Sequence, residues 1–195
     1  SLTWERMKVQ FGARYERNAY SPDSLRSRTF NGLSTSVGAA IPLWRSATVL
    51  ANYMHSYRAP ALEELYNRGP HPGNGVYEIG DPNLVRERGD GFEVAFRQQN
   101  RRFRAEMQLF HYHMHDFVYL NPTGDFDHGL PEAEYRQADS RFLGAEAKTE
   151  INLAQPLWLL LGFDAVDANL TSAGRMNLPR IPPVRGRAGL NWMWR

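Results

Sequence analysis

Apolar and polar residues alternate over unusually long stretches of this sequence. In residues 143–153, the odd positions carry apolar residues or threonine, and the even positions carry charged residues, asparagine or glycine. The same period of two runs through residues 9–16, 33–41, 92–97 and 184–194. Successive side chains of a β-strand point to opposite faces of its sheet, so this period predicts strands with one apolar and one polar face. The alternation therefore indicates an all-β fold.

The connections between the predicted strands are alternately short and long. The pattern predicts eight strands, over residues 5–16, 30–42, 47–58, 90–99, 102–119, 136–154, 157–170 and 184–195. Short connections lie at 42–46, 98–101 and 154–156, and long ones at 17–29, 59–89, 121–135 and 171–183. Outer-membrane barrels combine short periplasmic turns with long extracellular loops. We therefore predict an antiparallel transmembrane β-barrel segment of about eight strands, in preference to a soluble β-sandwich.

The composition fits the wall of a barrel whose inner face contacts water. Hydrophobic residues make up 42% of the chain and charged residues 23%, and no apolar run approaches the ~18 residues of a spanning helix. Cysteine is absent, which excludes disulfides and thiolate zinc sites. The net charge of +2 gives no indication of a nucleic-acid partner. No hydrolase, metalloprotease, phosphate-loop or dinucleotide motif is present, so we do not expect an enzyme.

Four blocks in a fixed order carry a family resemblance. They are residues 56–66 (SYRAPALEELY), 77–87 (YEIGDPNLVRE), 110–118 (FHYHMHDFV) and 135–146 (YRQADSRFLGAE). Together they resemble the barrels of TonB-dependent outer-membrane receptors. The Gly69-Pro70-His71 segment and the Gln-Ala-Asp block at 137–139 are most similar to the zinc-uptake receptors of that family.

The resemblance implies a location, partners and a function. A receptor of this family has an N-terminal plug and a 22-strand barrel, so we expect residues 1–195 to be part of the barrel, without the plug and the remaining strands. The implied location is the Gram-negative outer membrane. The implied partners are membrane lipid, the plug and missing strands, the TonB complex acting through the plug, and a metal ion or chelate. The implied function is uptake of a zinc-like metal ion or a metal complex, with no tightly bound cofactor.

Two alternatives remain open at this stage. The first is a receptor for a siderophore, haem or cobalamin. The second is a small self-contained outer-membrane barrel with a structural role, because eight strands are enough to close a small barrel.

A row of histidines is the first candidate site. His111, His113 and His115 occupy alternate positions, so a regular strand places all three on one face, and paired imidazoles suit zinc, copper or nickel. They continue the face of Met107 and Leu109, which is predicted to face lipid. Either a bulge near Leu109 turns the histidines inward, or they lie above the bilayer beside the headgroups. The competing interpretation is an exposed, aromatic-rich strand extension without a ligand.

The other candidate ligands lie in predicted external loops, where binding residues concentrate. The resemblance makes His71 the first choice for a metal contact, and Glu78 is a carboxylate nearby in sequence. A third cluster consists of Asp125, Asp127 and His128. The predicted metal ligands proper are His71, His111 and His113. On the polar face, we expect four arginines to pair with four glutamates: Arg14, Arg97, Arg185 and Arg187 with Glu16, Glu93, Glu146 and Glu150.

Overall fold

The computed structural model describes residues 2–4, 7–172, 176–179 and 181–192. Within these ranges the chain forms twelve strands and one short helix, α1 (Leu62–Tyr66). The strands are β1 (Leu2–Trp4), β2 (Met7–Tyr20), β3 (Arg28–Trp44), β4 (Ala47–Arg58), β5 (Arg68–His71), β6 (Val76–Ile79), β7 (Glu87–Gln99), β8 (Phe103–Asp127), β9 (Leu130–Ala154), β10 (Leu157–Leu170), β11 (Met176–Asn177) and β12 (Arg185–Trp192). None of the described helical residues forms a helix of the length and apolarity needed to span a membrane.

The long strands form one antiparallel meander. Strands β2, β3, β4, β7, β8, β9 and β10 pair in that order, and β12 pairs with the free side of β10. The first and last strands do not pair with each other in the part of the chain that the structure describes, so this sheet is open. The small hairpin of β5 and β6 joins the sheet at a separate place, where β6 pairs in parallel with residues 132–134 of β9.

The predicted fold class is confirmed, and the eight predicted strands correspond to the eight long strands. Strands β4 and β10 have the predicted bounds, 47–58 and 157–170. Strand β2 extends to Tyr20, four residues beyond the predicted end. Residues 5, 6 and 193–195 of the predicted strands lie outside the described residues.

The prediction of a long loop at 121–135 was wrong. Strands β8 and β9 continue through this segment as a hairpin of two 25-residue strands. The turn is His128-Gly129, with φ of 50° and 78°, and positive φ at both central residues is typical of a tight hairpin turn. The segment 122–125 contains proline and glycine, which suggested a loop, but an irregularity in the register between Pro122 and Phe126 accommodates them within the strand.

The two faces of the sheet differ as the alternation predicts. We call apolar face the one whose large side chains are exposed, including Phe11, Val37, Phe92, Val94, Met107, Leu109, Leu143 and Phe163. Five successive strand pairings place six residues in one row across the sheet. They are Phe11, Val37, Tyr53, Phe92, His111 and Leu143. In a membrane barrel this face contacts lipid, because lipid-facing and lumen-facing residues alternate along each strand.

The opposite, polar face carries ion pairs between neighbouring strands. Arg97 pairs with Glu106 at 2.6 Å and Arg104 with Glu150 at 3.0 Å. Arg185 and Arg187 both contact Asp164, at 2.6 and 3.2 Å.

The expectation of arginine pairing with carboxylates on this face therefore holds, but most predicted partners were wrong. Only Arg14 has its predicted partner, Glu16, at 2.8 Å. Of the other glutamates predicted as partners, Glu93 instead accepts a hydrogen bond from the hydroxyl of Tyr112. Arg97 and Arg185 instead contact the carboxylates that lie opposite them in the register, Glu106 and Asp164.

Two buried apolar clusters lie at the end of the sheet that carries the long connections. The first contains Phe30, Tyr57, Leu65, Leu84 and Val118, and the second Ala168, Leu170 and Leu178. Helix α1 contributes Leu65, which is fully buried, and the carboxylate of Glu64 accepts a hydrogen bond from the Ala61 N–H at the start of the helix. We call this region, residues 57–87 and 117–135 and the described residues of 168–181, the extracellular rim, because the predicted barrel has its long connections outside the cell.

Candidate functional site

The histidine row lies on the apolar face. Strand β8 keeps a regular register with both neighbours from Arg104 to Met114, so there is no bulge near Leu109. His111, His113 and His115 therefore continue the face of Met107 and Leu109, and Tyr112 faces the other way, toward Glu93. Of the two predicted alternatives, inward-turned histidines are excluded for this structure. The histidines lie in the central part of β8, and His111 opposes Phe92 and Leu143 in the register.

A bulge does occur in β8, but beyond His113. Met114 pairs with Ser140 and Phe117 with Ala138, so His115 and Asp116 together oppose Asp139 on β9. Asp116 has a φ of 56°, and its N–H donates to Oδ1 of Asp139 at 3.1 Å. Bulges redirect side chains and often lie next to functional sites. Here the bulge places His115 beside the Asp139 carboxylate.

His113, His115 and Asp139 form a group with the composition of a metal site. Their potential ligand atoms all lie within 4.8 Å of one another, and all three side chains are half-buried. Nδ1 of His115 is 3.6 Å from Oδ2 of Asp139, and the two imidazole rings meet edge to face with centroids 4.5 Å apart. Among the described residues, no other histidine or carboxylate group of three meets this distance.

His71 ends strand β5 at the tip of the β5–β6 hairpin and is exposed. Its backbone carbonyl accepts hydrogen bonds from the N–H groups of Asn74 and Gly75, at 3.3 and 3.1 Å. Gly75 has a φ of 66°, a conformation that suits glycine at a tight turn. The hairpin therefore holds the His71 backbone in a defined turn, with the imidazole open to solvent.

Glu78 is buried and its carboxylate is occupied by other partners. The side chain is only 2% exposed. Oε1 accepts a hydrogen bond from Nδ2 of Asn74 at 2.6 Å, and Oε2 accepts one from the hydroxyl of Tyr135 at 2.8 Å. Burial and this hydrogen bond raise the pKa of the Tyr135 hydroxyl. Glu78 thus links the β5–β6 hairpin to β9, and its geometry is that of a structural carboxylate.

The cluster at the tip of the β8–β9 hairpin contacts the His71 hairpin. Nδ1 of His128 lies 2.6 Å from Oδ1 of Asp127. The His128 ring stacks on Tyr77 of β6, with centroids 5.6 Å apart and planes 8° apart. Asp125 is exposed and, like Asp127, belongs to strand β8 rather than to a loop. The two histidine-bearing hairpins of the rim therefore touch each other.

The structure divides the predicted ligands into two regions. The predicted metal set of His71, His111 and His113 is not brought together, because His71 belongs to the rim and the other two to the apolar face. Sequence reasoning did not select Asp139 as a ligand. Its position opposite His115 depends on the β8–β9 register, and that register was hidden by the mistaken loop at 121–135.

The rim also contains an apolar cavity of about 320 Å³. Aromatic side chains from both strands of the long hairpin line it, including Phe117, Tyr119 and Phe142, and Leu178 and Ile181 close one side. This volume is at the lower end of the range for pockets that bind organic ligands.

Comparison with known proteins identifies the family. The whole chain, residues 1–195, matches the family model described as TonB dependent receptor-like, beta-barrel. The protein therefore belongs to the β-barrel family of TonB-dependent receptors. This family consists of outer-membrane transporters and receptors rather than enzymes.

Solved structures show the same fold. The chain superposes on the copper transporter OprC with a TM-score of 0.82 at 18% identity, covering 96% of this chain and 30% of that one. For the iron transporter FrpB of Neisseria meningitidis (F3-3 variant), the TM-score is 0.64 at 18% identity, over 90% and 25% of the two chains. For the ferric-catecholate import receptor Fiu of E. coli K12, it is 0.67 at 15% identity, over 97% and 30%. The chain thus spans less than a third of the length of each of these proteins.

Proposed function

We propose that this chain forms barrel wall and extracellular ligand-capture loops of a TonB-dependent active transporter in the Gram-negative outer membrane. The observation that carries this proposal is the match of the entire chain to the receptor barrel family. In the proposed receptor, the apolar face contacts membrane lipid and the polar face contacts the plug and the enclosed path. TonB acts through the plug, so this chain supplies the wall and loops rather than the energy coupling.

The substrate that we propose is a divalent transition-metal ion of the zinc or copper type. The rim presents the exposed imidazoles of His71 and His128 on two hairpins that touch through Tyr77. Neutral imidazole is a good ligand for zinc and copper. One of the proteins with the same fold is a copper transporter. In this proposal the metal is cargo, and no tightly bound cofactor is required.

Metal uptake by cells tests the proposal. A strain that lacks the full-length gene is complemented with wild type, and uptake of labelled zinc and copper is measured with and without TonB. We expect uptake to depend on TonB. The combined substitutions His71→Ala and His128→Ala should reduce uptake about 10-fold or more, which is the usual effect of removing a residue that supports metal binding. His111→Ala is the matched control, because His111 lies on the apolar face. Equal metal uptake by the deletion and wild-type strains would contradict the metal-ion proposal.

A metal complex with an organic chelator is the second candidate, and the apolar cavity favours it. Aromatic side chains around about 320 Å³ suit a planar organic ligand better than a bare ion. Tyr119→Ala is then expected to impair uptake of the chelate and to leave uptake of the free ion unchanged. Leu143→Ala, which changes an exposed residue of the apolar face, serves as the control. The reverse pattern, impaired ion uptake alone, would reject the chelate.

A further inference from the structure

We propose that His113, His115 and Asp139 bind a divalent first-row transition-metal ion on the outer surface of the barrel, separate from the transport path. The site lies on the apolar face, near the middle of β8 and β9, where the pairing of β8 with β7 ends. Its location is independent of the proposed substrate. Its metal would hold the two strands together where the long hairpin leaves the sheet.

The donor set is chemically suited to such an ion. Two neutral imidazoles and one carboxylate are common ligands of zinc and copper, and water completes the coordination at an open site. Bonds of about 2.1 Å place neighbouring ligand atoms of a tetrahedral site about 3.4 Å apart. Nδ1 of His115 and Oδ2 of Asp139 are already 3.6 Å apart. Small rotations of the half-exposed side chains would bring the third donor, from within 4.8 Å, to the same spacing.

The surroundings orient the carboxylate. Oδ1 of Asp139 accepts the backbone N–H of Asp116 at 3.1 Å, which leaves Oδ2 directed at His115. Hydrogen bonds that fix ligating carboxylates are a regular feature of metal sites. The N–H is available because the bulge at His115 and Asp116 removes it from the regular register. The same irregularity thus positions two of the three donors.

Neighbouring positive charges are paired with other carboxylates. Arg141, which opposes His113 in the register, contacts Asp167 at 3.3 Å. Arg88, which opposes His115 on β7, contacts Asp116 at 3.6 Å. These ion pairs reduce the repulsion that free guanidinium groups would exert on a bound cation.

Copper binding to the purified full-length gene product in detergent tests the site. Cu²⁺ is titrated, and the electron paramagnetic resonance spectrum is recorded at each step. We expect wild type to bind one equivalent more than His113→Ala/His115→Ala, and this additional equivalent shows nitrogen hyperfine splitting. His111→Ala is the matched control and keeps this equivalent, because His111 lies on the same face but outside the group. Asp139→Asn is expected to weaken the same equivalent by about 10-fold or more.

Zinc-dependent hydrogen exchange gives a second measurement. Zinc is expected to slow amide exchange in residues 114–120 of β8 and in residues 135–140 of β9, which pair with them. This slowing is expected in wild type and in His111→Ala, but not in the double-histidine variant. Uptake by the double-histidine variant should stay within twofold of wild type. Unchanged copper stoichiometry in the double-histidine variant, or wild-type copper affinity in Asp139→Asn, would overturn the site. Loss of metal uptake in a correctly assembled double-histidine variant would overturn its separation from transport.

Discussion

In the transmembrane part of the sheet, Phe92 and Leu109 are 61% and 62% exposed, whereas in the extracellular rim Leu65 is fully buried. The transmembrane part is one layer of strands, whose outward side chains have no protein to pack against. The rim folds a helix, a small hairpin and a long hairpin over one another and encloses two apolar clusters. One chain thus combines a single-layer strand ladder, whose outward face contacts lipid in the proposed receptor, with a region that has an ordinary protein core.

The polar groups of the two regions differ in the same way. On the polar face of the sheet, both side chains of the Arg97–Glu106 pair are about half-exposed. In the rim, Glu87 is 3% exposed and accepts hydrogen bonds from Arg58 and from the Val118 N–H, each at 2.6 Å. The pairing with Glu87 raises the pKa of the Arg58 guanidinium. Exposed ion pairs contribute little to stability, whereas a buried donor that loses its acceptor costs more.

The largest expected effect comes from opening the rim core. Leu65→Ala removes a buried side chain and should cost about 2–5 kcal/mol of local stability. Since 2 kcal/mol changes an equilibrium roughly 30-fold, chymotrypsin should cleave the rim at least about 30-fold faster in the full-length receptor. Leu62→Ala, which shortens an exposed side chain of the same helix, should leave the cleavage rate unchanged. Equal rates for the two variants would show that the rim has no cooperative core.

A charge on the apolar face tests the role of lipid. Leu109→Arg is expected to cost about 2–4 kcal/mol, the penalty of arginine near the bilayer midplane of a barrel. The matched control is Gln108→Arg, because Gln108 lies on the polar face, opposite Glu146 in the register. The measurement is the fraction of heat-modifiable, membrane-inserted receptor. If both variants assemble equally, the assignment of the apolar face to lipid is wrong.

The smallest expected difference concerns the two classes of ion pair. Glu87→Gln should cost about 1–3 kcal/mol because it leaves the buried Val118 N–H and the partly buried Arg58 guanidinium with a weaker acceptor. Glu106→Gln should cost about 0–1 kcal/mol, as is usual for an exposed pair. Hydrogen exchange of the Val118 amide should accelerate in the first variant only. Similar exchange in the two variants would remove the distinction between rim and sheet.

Local sequence patterns predicted the transmembrane strands better than the rim. The period of two identified β4 and β10 to the residue and placed His111, His113 and His115 on the face of Leu109, because side-chain direction in a strand is a local property. The rim was predicted as loops. Its strands contain proline and glycine, tolerated at irregular register positions such as 122–126, and these residues obscured the pattern.

The sequence by itself determined the strands, the two faces of the sheet and the family resemblance, since all three depend on residues that are neighbours along the chain. Only the tertiary structure decided which side chains meet. Asp139 lies beside His115 because the β8–β9 hairpin turns at residues 128–129 and has a bulge at residues 115–116. His128 contacts Tyr77 because β6 pairs with β9. A shift of register by one residue moves each side chain to the opposite face. Such contacts are therefore fixed by pairing between distant segments, which alternation along one strand does not specify.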